Sequence, residues 1–247
     1  MEPALVTPKD LRMKGAFIRY DAGRADPFDA RVFDPEWLST AGLLKGSSAG
    51  RYAAHFFSYA GHEMVLRHFH RGGLMGRLNR DLYLRLGARR SRAFREFELL
   101  AEMHRAGLPV PMPVAARYQP LGPFYRADII TRRIAGAEPL QDVLTRAPVS
   151  PALWRSIGAE VQAMHDFGVD HSDLNCRNIL VGAGDTVWLI DFDKCRKRPP
   201  GAWRQANLDR LQRSLVKSSA SLAAFHWQRE DWAALLEGYQ KAEPQPD

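Results

Sequence analysis

Apolar residues recur at helical spacing most clearly between positions 150 and 168, where Trp154, Ile157, Val161 and Met164 fall on one face. Ser150 reads as the N-cap, Pro151 as the first helical residue and Gly168 as the stop. A second run starts near Ser91, with Phe94, Phe97, Leu100, Ala101 and His104 at three- and four-residue steps before Gly107 and Pro109. That pattern predicts one helix of about four turns. Two further amphipathic helices are expected near 207–217 and 228–241. Between 43 and 69 the pattern changes to glycine-bounded strands: Tyr52, Phe56, Phe57 and Tyr59, a turn at Gly61-His62, then Met64-Val65-Leu66. Residues 125–134 read as another strand, and Val187 to Ile190 as a short buried one.

These signals divide the chain into an irregular N-terminal extension (1–40), a strand-rich N-lobe (41–135) and a helical C-lobe (136–247), with Ala135-Gly136-Ala137 as the hinge. Pro27 and Pro35 interrupt any period in the first segment. A glycine- and arginine-rich stretch from Arg71-Gly72-Gly73 to Arg90 links the strands to the first helix, and no internal repeat is present.

Composition narrows the function. The longest uncharged apolar stretch, 106–116, holds three prolines, well short of the ~20 residues a spanning helix requires. Lys9, Asp10 and Arg12 interrupt the N-terminus before any secretory h-region, so a cytosolic protein is expected. Cys176 and Cys195 form no CxxC pair, which argues against a disulfide framework or zinc knuckle. A net charge of +7 and a pI near 9.6 favour an anionic partner, with nucleic acid, anionic lipid and a phosphorylated sugar all eligible.

The chemistry is concentrated in His171-Ser172-Asp173-Leu174-Asn175-Cys176-Arg177-Asn178, followed by strand residues and Asp191-Phe192-Asp193. This is the order of a kinase catalytic loop, H-x-D-x-x-x-x-N, with a DFG-like aspartate thirteen residues beyond Asn178. Phosphoryl transfer needs a carboxylate beside the acceptor hydroxyl and oxygen ligands that hold Mg2+ against the nucleotide phosphates of ATP. Asp173 is expected to be the base, Asn178 and Asp191 the metal ligands, and His171 a hydrogen bonder that fixes the loop. A lone H-x-D would be a loop cap; the ordered set of helix, glycine, loop, asparagine, strand and aspartate argues otherwise.

Upstream the pattern departs from that of protein kinases. The expected G-x-G-x-x-G is replaced by Gly46-Ser47-Ser48-Ala49-Gly50, which reads either as an ordinary loop or as a phosphate cradle through its backbone N–H groups and serines. Arg67 stands where a lysine belongs, either facing phosphate or as a surface charge. Its acidic partner would be Glu96, with Glu98 as the alternative. His68 and His70 lack a third ligand, so no zinc site is predicted. Only 56 residues follow Asp191 and no A-P-E motif occurs, which disfavours a protein substrate.

With Val65-Leu66-Arg67-His68, Arg71-Gly72-Gly73, Arg92-Ala93-Phe94-Arg95-Glu96, Gly107 to Pro111, His171 to Asn175, Asn178-Ile179-Leu180 and Trp188 to Asp193, the chain resembles the 3-deoxy-D-manno-octulosonic acid (Kdo) kinases, relatives of the heptose kinases of lipopolysaccharide assembly. The resemblance spans about 46–217 and implies a bilobal, protein-kinase-like α+β fold with an antiparallel-sheet N-lobe, one regulatory-type helix and a reduced helical C-lobe. It also implies that arginine is the expected residue at position 67. The implied activity is transfer of the ATP γ-phosphate to the 4-hydroxyl of Kdo on a lipid A precursor, at the cytoplasmic face of the bacterial inner membrane. Neither a nucleic acid nor a protein partner is inferred.

Two other readings compete. Aminoglycoside-type phosphotransferases have a similar loop, although their polycationic substrates call for an acidic acceptor side. A non-catalytic pseudokinase docking on anionic lipid is the other. In 207–217, Leu208, Leu211 and Leu215 share one helical face while Arg210, Arg213 and Lys217 share the opposite one. With Lys194, Arg196, Lys197 and Arg198 after Asp191, these basic groups are expected to border the acceptor side and to contact an anionic membrane peripherally.

Overall fold

The computed structural model describes residues 6–23, 27–47, 54–69, 81–85 and 87–241. The chain divides into two compact units, one made of Met1–Arg105 with Pro111–Arg133, the other of Ala106–Val110 with Ile134–Asp247.

The first unit is an antiparallel sheet carrying a helix. Its elements are β1 (Pro8–Met13), β2 (Ala16–Asp21), α1 (Pro35–Thr40), β3 (Leu44–Ser47), β4 (Ala54–Tyr59), β5 (His62–His68), β6 (Tyr83–Leu84), α2 (Arg92–Arg105), β7 (Pro113–Leu121) and β8 (Phe124–Arg132). The sheet runs β1-β2-β7-β8-β5-β4-β3, with β6 also paired to β8. Two tight hairpins set its register. Gly15 (φ 80°) turns β1 into β2, and Ala60 (φ 49°) with Gly61 (φ 75°) turns β4 into β5, so that Tyr59 faces His62 across the ladder. Consecutive left-handed residues match the right-handed twist of the flanking strands, and Ala60 tolerates that conformation at a cost of about 1 kcal/mol.

The segment read as an irregular extension is part of this sheet. Ala16, Ile18 and Tyr20 alternate inward along β2, which pairs with β7 through Phe17–Tyr118 to Tyr20–Ala115. Pro35 does not break structure: it is the first residue of α1, whose N-cap Asp34 accepts from the N–H groups of Glu36 and Trp37. Val32, Phe33 and Leu38 then join Ile18, Phe57, Leu66 and Ile130 in one buried cluster. Strands β1 and β2 of this sheet thus come from the segment read as an extension.

Helix α2 lies on β7, with Ala93, Phe94, Phe97, Leu100 and Met103 buried and the Ser91 hydroxyl accepting from the Phe94 N–H. The periodicity that predicts this helix is thus the face it packs with.

The second unit is mostly helical. It contains β9 (Glu138–Pro139), α3 (Leu140–Leu144), α4 (Pro151–Asp166), β10 (Val169–Asp170), β11 (Ile179–Val181), β12 (Val187–Leu189), β13 (Arg196–Lys197), α5 (Trp203–Ser221) and α6 (Arg229–Lys241). Helix α4 is capped by Ser150, whose hydroxyl accepts from the Leu153 N–H, with Pro151 at its first position. Helices α4 and α6 approach closely through facing glycines. A Cβ on Gly158 would overlap the Leu235 carbonyl, and one on Gly238 would overlap the Arg155 carbonyl. Short antiparallel pairs, β12-β11-β9 and β10-β13, frame the loop between β10 and β11. This is the α+β arrangement that the resemblance implies, a sheet unit with one long helix and a second, helical unit.

Candidate functional site

The loop from His171 to Asn178 runs between β10 and β11 and is anchored from inside. Leu174 and Cys176 are buried, and His171 is wholly so. The His171 N–H donates to Asn207 Oδ1 (2.8 Å). Its ring Nδ1 accepts from the Asp173 N–H (3.3 Å), which leaves Nε2–H to donate to the Ile190 carbonyl (3.1 Å). Burial pushes this imidazole below its ordinary pKa, so it is neutral, with both nitrogens occupied by backbone. His171 therefore fixes the loop against the strand that leads to Asp191.

The Asp173 carbonyl is pinned by two side-chain amides, Asn175 Nδ2 at 2.8 Å and Asn178 Nδ2 at 2.9 Å. Its carboxylate is left 58% exposed and meets Arg210 Nη1 at 3.4 Å. A general base needs such access to a hydroxyl from solvent. The Asn178 carbonyl in turn accepts from the Ile190 N–H (2.9 Å), which ties Asn178 to the residue just before Asp191.

Asp191 adopts a left-handed conformation (φ 66°) that turns the chain sharply after β12. Aspartate tolerates this better than most residues. The turn sends Phe192 into the core, 1% exposed and with its ring 4.9 Å from that of His171. Asn178 donates through Nδ2, which leaves its Oδ1 as an acceptor, and Asp191 carries a carboxylate. An amide and a carboxylate oxygen suit a hard cation such as Mg2+, which takes few protein ligands and leaves the rest to phosphates and water. Among the described residues, no three His, Cys, Asp or Glu side chains converge as a metal cluster.

Arg67, on β5 of the first unit, pairs with Glu96 on α2 at 2.5 Å, the carboxylate being 3% exposed. Glu98 does not compete; it pairs with Arg19 on β2. The two glutamates lie about 200° apart around the helix, and only Glu96 shares the buried face with Ala93, Phe97 and Leu100. Arg67 is thus held by a nearly buried carboxylate and is no plain surface charge. Gly46 and Ser47 lie on strand β3, opposite Phe56 and His55 of β4. They are not in a loop, and Ser48 and Gly50 lie outside the described residues. His68 Nδ1 meets Asp128 at 2.6 Å, part of an ion-pair group with Arg117. His70, the other histidine of the pair for which no zinc site is predicted, lies outside the described residues.

The basic residues separate into two groups. Leu208, Leu211 and Leu215 are buried while Arg210, Arg213 and Lys217 are exposed, as the helical pattern predicts. Arg198, Arg210 and Arg213 line one cavity of about 710 Å³ together with Asp170, Ser172 and Asn207. Lys194, Arg196, Lys197 and Lys217 do not line it.

Asn207 is the residue that sequence reasoning passed over. Beyond holding the His171 N–H, it donates from Nδ2 to Asp170 Oδ1 (3.0 Å) and faces His165 Nε2 at 3.4 Å. The signal was there: Asn207 is one and two helical repeats before Leu211 and Leu215, a polar residue on an apolar face. Gln141, too, is a hub, accepting from Arg177 Nε (2.8 Å) and the Ser218 hydroxyl (3.3 Å).

Comparison with known proteins identifies the family. The model of the lipopolysaccharide kinase (Kdo/WaaP) family matches residues 35–239. A protein of Vibrio vulnificus strain CMCP6 named 3-deoxy-D-manno-octulosonic acid kinase is 40% identical over 223 residues, covering 90% of this chain and 94% of its own length. Proteins of the same name from Actinobacillus succinogenes and from Haemophilus influenzae strain PittEE are 37% and 38% identical, covering 94% and 84% of this chain and 99% and 89% of their own lengths. On its catalytic-loop motif, its two-unit fold and this coverage, the chain belongs to the lipopolysaccharide kinase (Kdo/WaaP) family and is a kinase.

Proposed function

We propose that this kinase transfers the γ-phosphoryl group of ATP to the 4-hydroxyl of a Kdo residue on a lipid A precursor, during lipopolysaccharide assembly at the cytoplasmic face of the inner membrane. The observation that carries the reading is the exposed Asp173 carboxylate, on a loop whose backbone is fixed by His171, Asn175 and Asn178. Kdo as the acceptor follows from the names of relatives that this chain covers almost end to end.

Asp173 accepts the proton of the acceptor hydroxyl as the oxygen attacks the γ-phosphorus and ADP departs. Asn178 Oδ1 and the Asp191 carboxylate are the groups that would hold Mg2+, which offsets charge on the phosphate oxygens. Arg67, oriented by Glu96, supplies a fork of donors to the nucleotide phosphates. Gly46 and Ser47, with Ser48 and Gly50 just beyond them in sequence, are the remaining residues assigned to the nucleotide phosphates, through their backbone N–H groups and hydroxyls.

Among the described residues no helix is long and apolar enough to cross a membrane. A lipid-linked acceptor is then met from the surface. Exposed Lys217 and the cations of 194–198 are suited to an anionic bilayer, each contributing on the order of 1 kcal/mol. The arginine-lined cavity beside Asp173 opposes an aminoglycoside, whose positive charges it would repel.

The test is product mass spectrometry after offering the purified protein ATP and Mg2+ with a panel of Kdo-bearing lipid A precursors and aminoglycosides. ATP-dependent addition of one phosphate to the Kdo of a precursor is expected. Phosphate on an aminoglycoside alone, or no turnover with any acceptor, rules the reading out. Peripheral membrane contact is tested by co-sedimentation with anionic vesicles: binding at low salt that weakens at high salt is expected, and equal binding at both rejects it.

A further inference from the structure

The cavity lined by Arg198, Arg210, Arg213, Ser172, Asp170 and Asn207 adjoins the expected base directly. Ser172 precedes Asp173 in the chain, and Arg210 reaches from the cavity wall to Asp173 Oδ1 at 3.4 Å. Its charges do not cancel. Asp170 is held on both oxygens, Oδ1 by Asn207 and Oδ2 by Arg198 at 3.0 Å each, and Asp173 faces Arg210. Arg213, one helical turn beyond Arg210 on α5, makes no ion pair with any described residue. Three guanidinium groups thus stand against two carboxylates, with one positive charge in excess, in a pocket also lined by residues 199–203.

We infer that this cavity is the seat of the acceptor's carboxylate, with Arg213 as its principal partner and Arg198 and Arg210 as flanking donors. The inference rests on the proposed reading of the acceptor as a Kdo residue, and names how that sugar is oriented. A 3-deoxy-octulosonic acid carries its carboxylate on the carbon beside the deoxy position and its first free hydroxyl just beyond. Only a few bonds therefore separate the anion from the reacting oxygen. A site that binds the carboxylate next to the base selects one hydroxyl by distance, because a near-attack arrangement leaves little freedom once a second point is fixed. Arginine suits the task, since its planar fork matches the two carboxylate oxygens. Arg213 is free to turn toward a ligand without breaking an existing pair.

The test is a cycle between protein and substrate. Wild type and Arg213→Gln are each assayed with a Kdo-bearing lipid A precursor and with the same precursor whose Kdo carboxylate has been reduced to a primary alcohol. Wild type is expected to lose about 10- to 100-fold in kcat/KM on the reduced acceptor, the range of a charge-assisted hydrogen bond. Arg213→Gln loses a similar factor on the natural acceptor, loses almost nothing more on the reduced one, and keeps its KM for ATP. Arg213→Lys recovers part of the loss. If the two losses multiply, or if Arg213→Gln discriminates the acceptors as wild type does, the carboxylate is bound elsewhere and the inference falls while the Kdo reading stands. If wild type phosphorylates neither acceptor, the Kdo reading itself fails and takes the inference with it.

Discussion

Arg210 and Asp173, 37 positions apart in sequence, meet at 3.4 Å with both side chains about half exposed. An exposed pair of this kind contributes about 0–1 kcal/mol to stability. Its value is positional: it sets a cation beside the carboxylate expected to take the acceptor's proton. Arg210→Gln should leave the unfolding midpoint almost unchanged and lower kcat/KM for the acceptor. A large loss of stability with normal kinetics would make the contact structural.

Asp173→Asn retains shape and removes the proton acceptor. Turnover is expected to fall by about 10² to 10⁴ while nucleotide binding persists. Asp191→Asn acts differently, weakening Mg2+ binding, so raising Mg2+ should recover part of its activity and none of that lost in Asp173→Asn. Near-full turnover of Asp173→Asn at saturating substrates contradicts the proposed base.

The Arg67–Glu96 pair offers a cycle of its own. Glu96 is nearly buried, so Glu96→Gln leaves Arg67 less firmly oriented and Arg67→Ala leaves a carboxylate without this cation. Each change should raise the KM for ATP, lower kcat or do both, and the double variant should cost less than the two losses multiplied. Multiplicative effects would mean that the two side chains act separately.

Asn207 is 5% exposed and ties α5 to both His171 and Asp170. Asn207→Ala leaves the His171 N–H without its acceptor in a buried setting, at a cost of about 1–3 kcal/mol. Because the same loop carries Asp173, kcat should fall as well. Denaturant unfolding and steady-state kinetics on one preparation would show both effects, and a drop in stability alone would separate the anchor from the chemistry.

Stability should also depend on acidity. Burial, partly opposed by the Asn207 hydrogen bond, holds the His165 imidazole down at about 4 from its ordinary 6.5, with Arg204 adding to the depression. Between these values the unfolded chain binds a proton that the folded chain refuses. The contribution is therefore complete above about pH 6.5 and is lost as the pH falls toward 4, by up to about 3 kcal/mol. His171, lowered by its own burial, acts in the same direction. Urea unfolding at pH 7 and pH 5 should show the decline, and His165→Phe should flatten it. Equal stability of wild type at both values would mean that His165 is not held neutral.

Local chemistry determined a good deal of this protein. Ser150, Pro151 and the period of Trp154, Ile157, Val161 and Met164 delimit α4 because caps and helical faces are properties of neighbouring residues. The loop from His171 to Asn178 and the return to Asp191 were legible because their spacing is fixed by a short hairpin, β11 to β12, between them. The N-terminal hairpin was not. β1 and β2 are half of a pairing completed by β7, about a hundred residues later, and a strand's stability lies in its partner more than in its own residues. Glu96 and Glu98 were indistinguishable by type, and the sheet beneath α2 separated them by offering Arg67 to one and Arg19 to the other. Likewise Arg198, from the turn after β13, joins Arg210 and Arg213 on α5 in one cavity while its neighbours Lys194, Arg196 and Lys197 do not. Charge along a sequence says how many cations there are; only long-range packing decides which of them share a pocket, because that depends on the directions in which separate backbone segments hold their side chains.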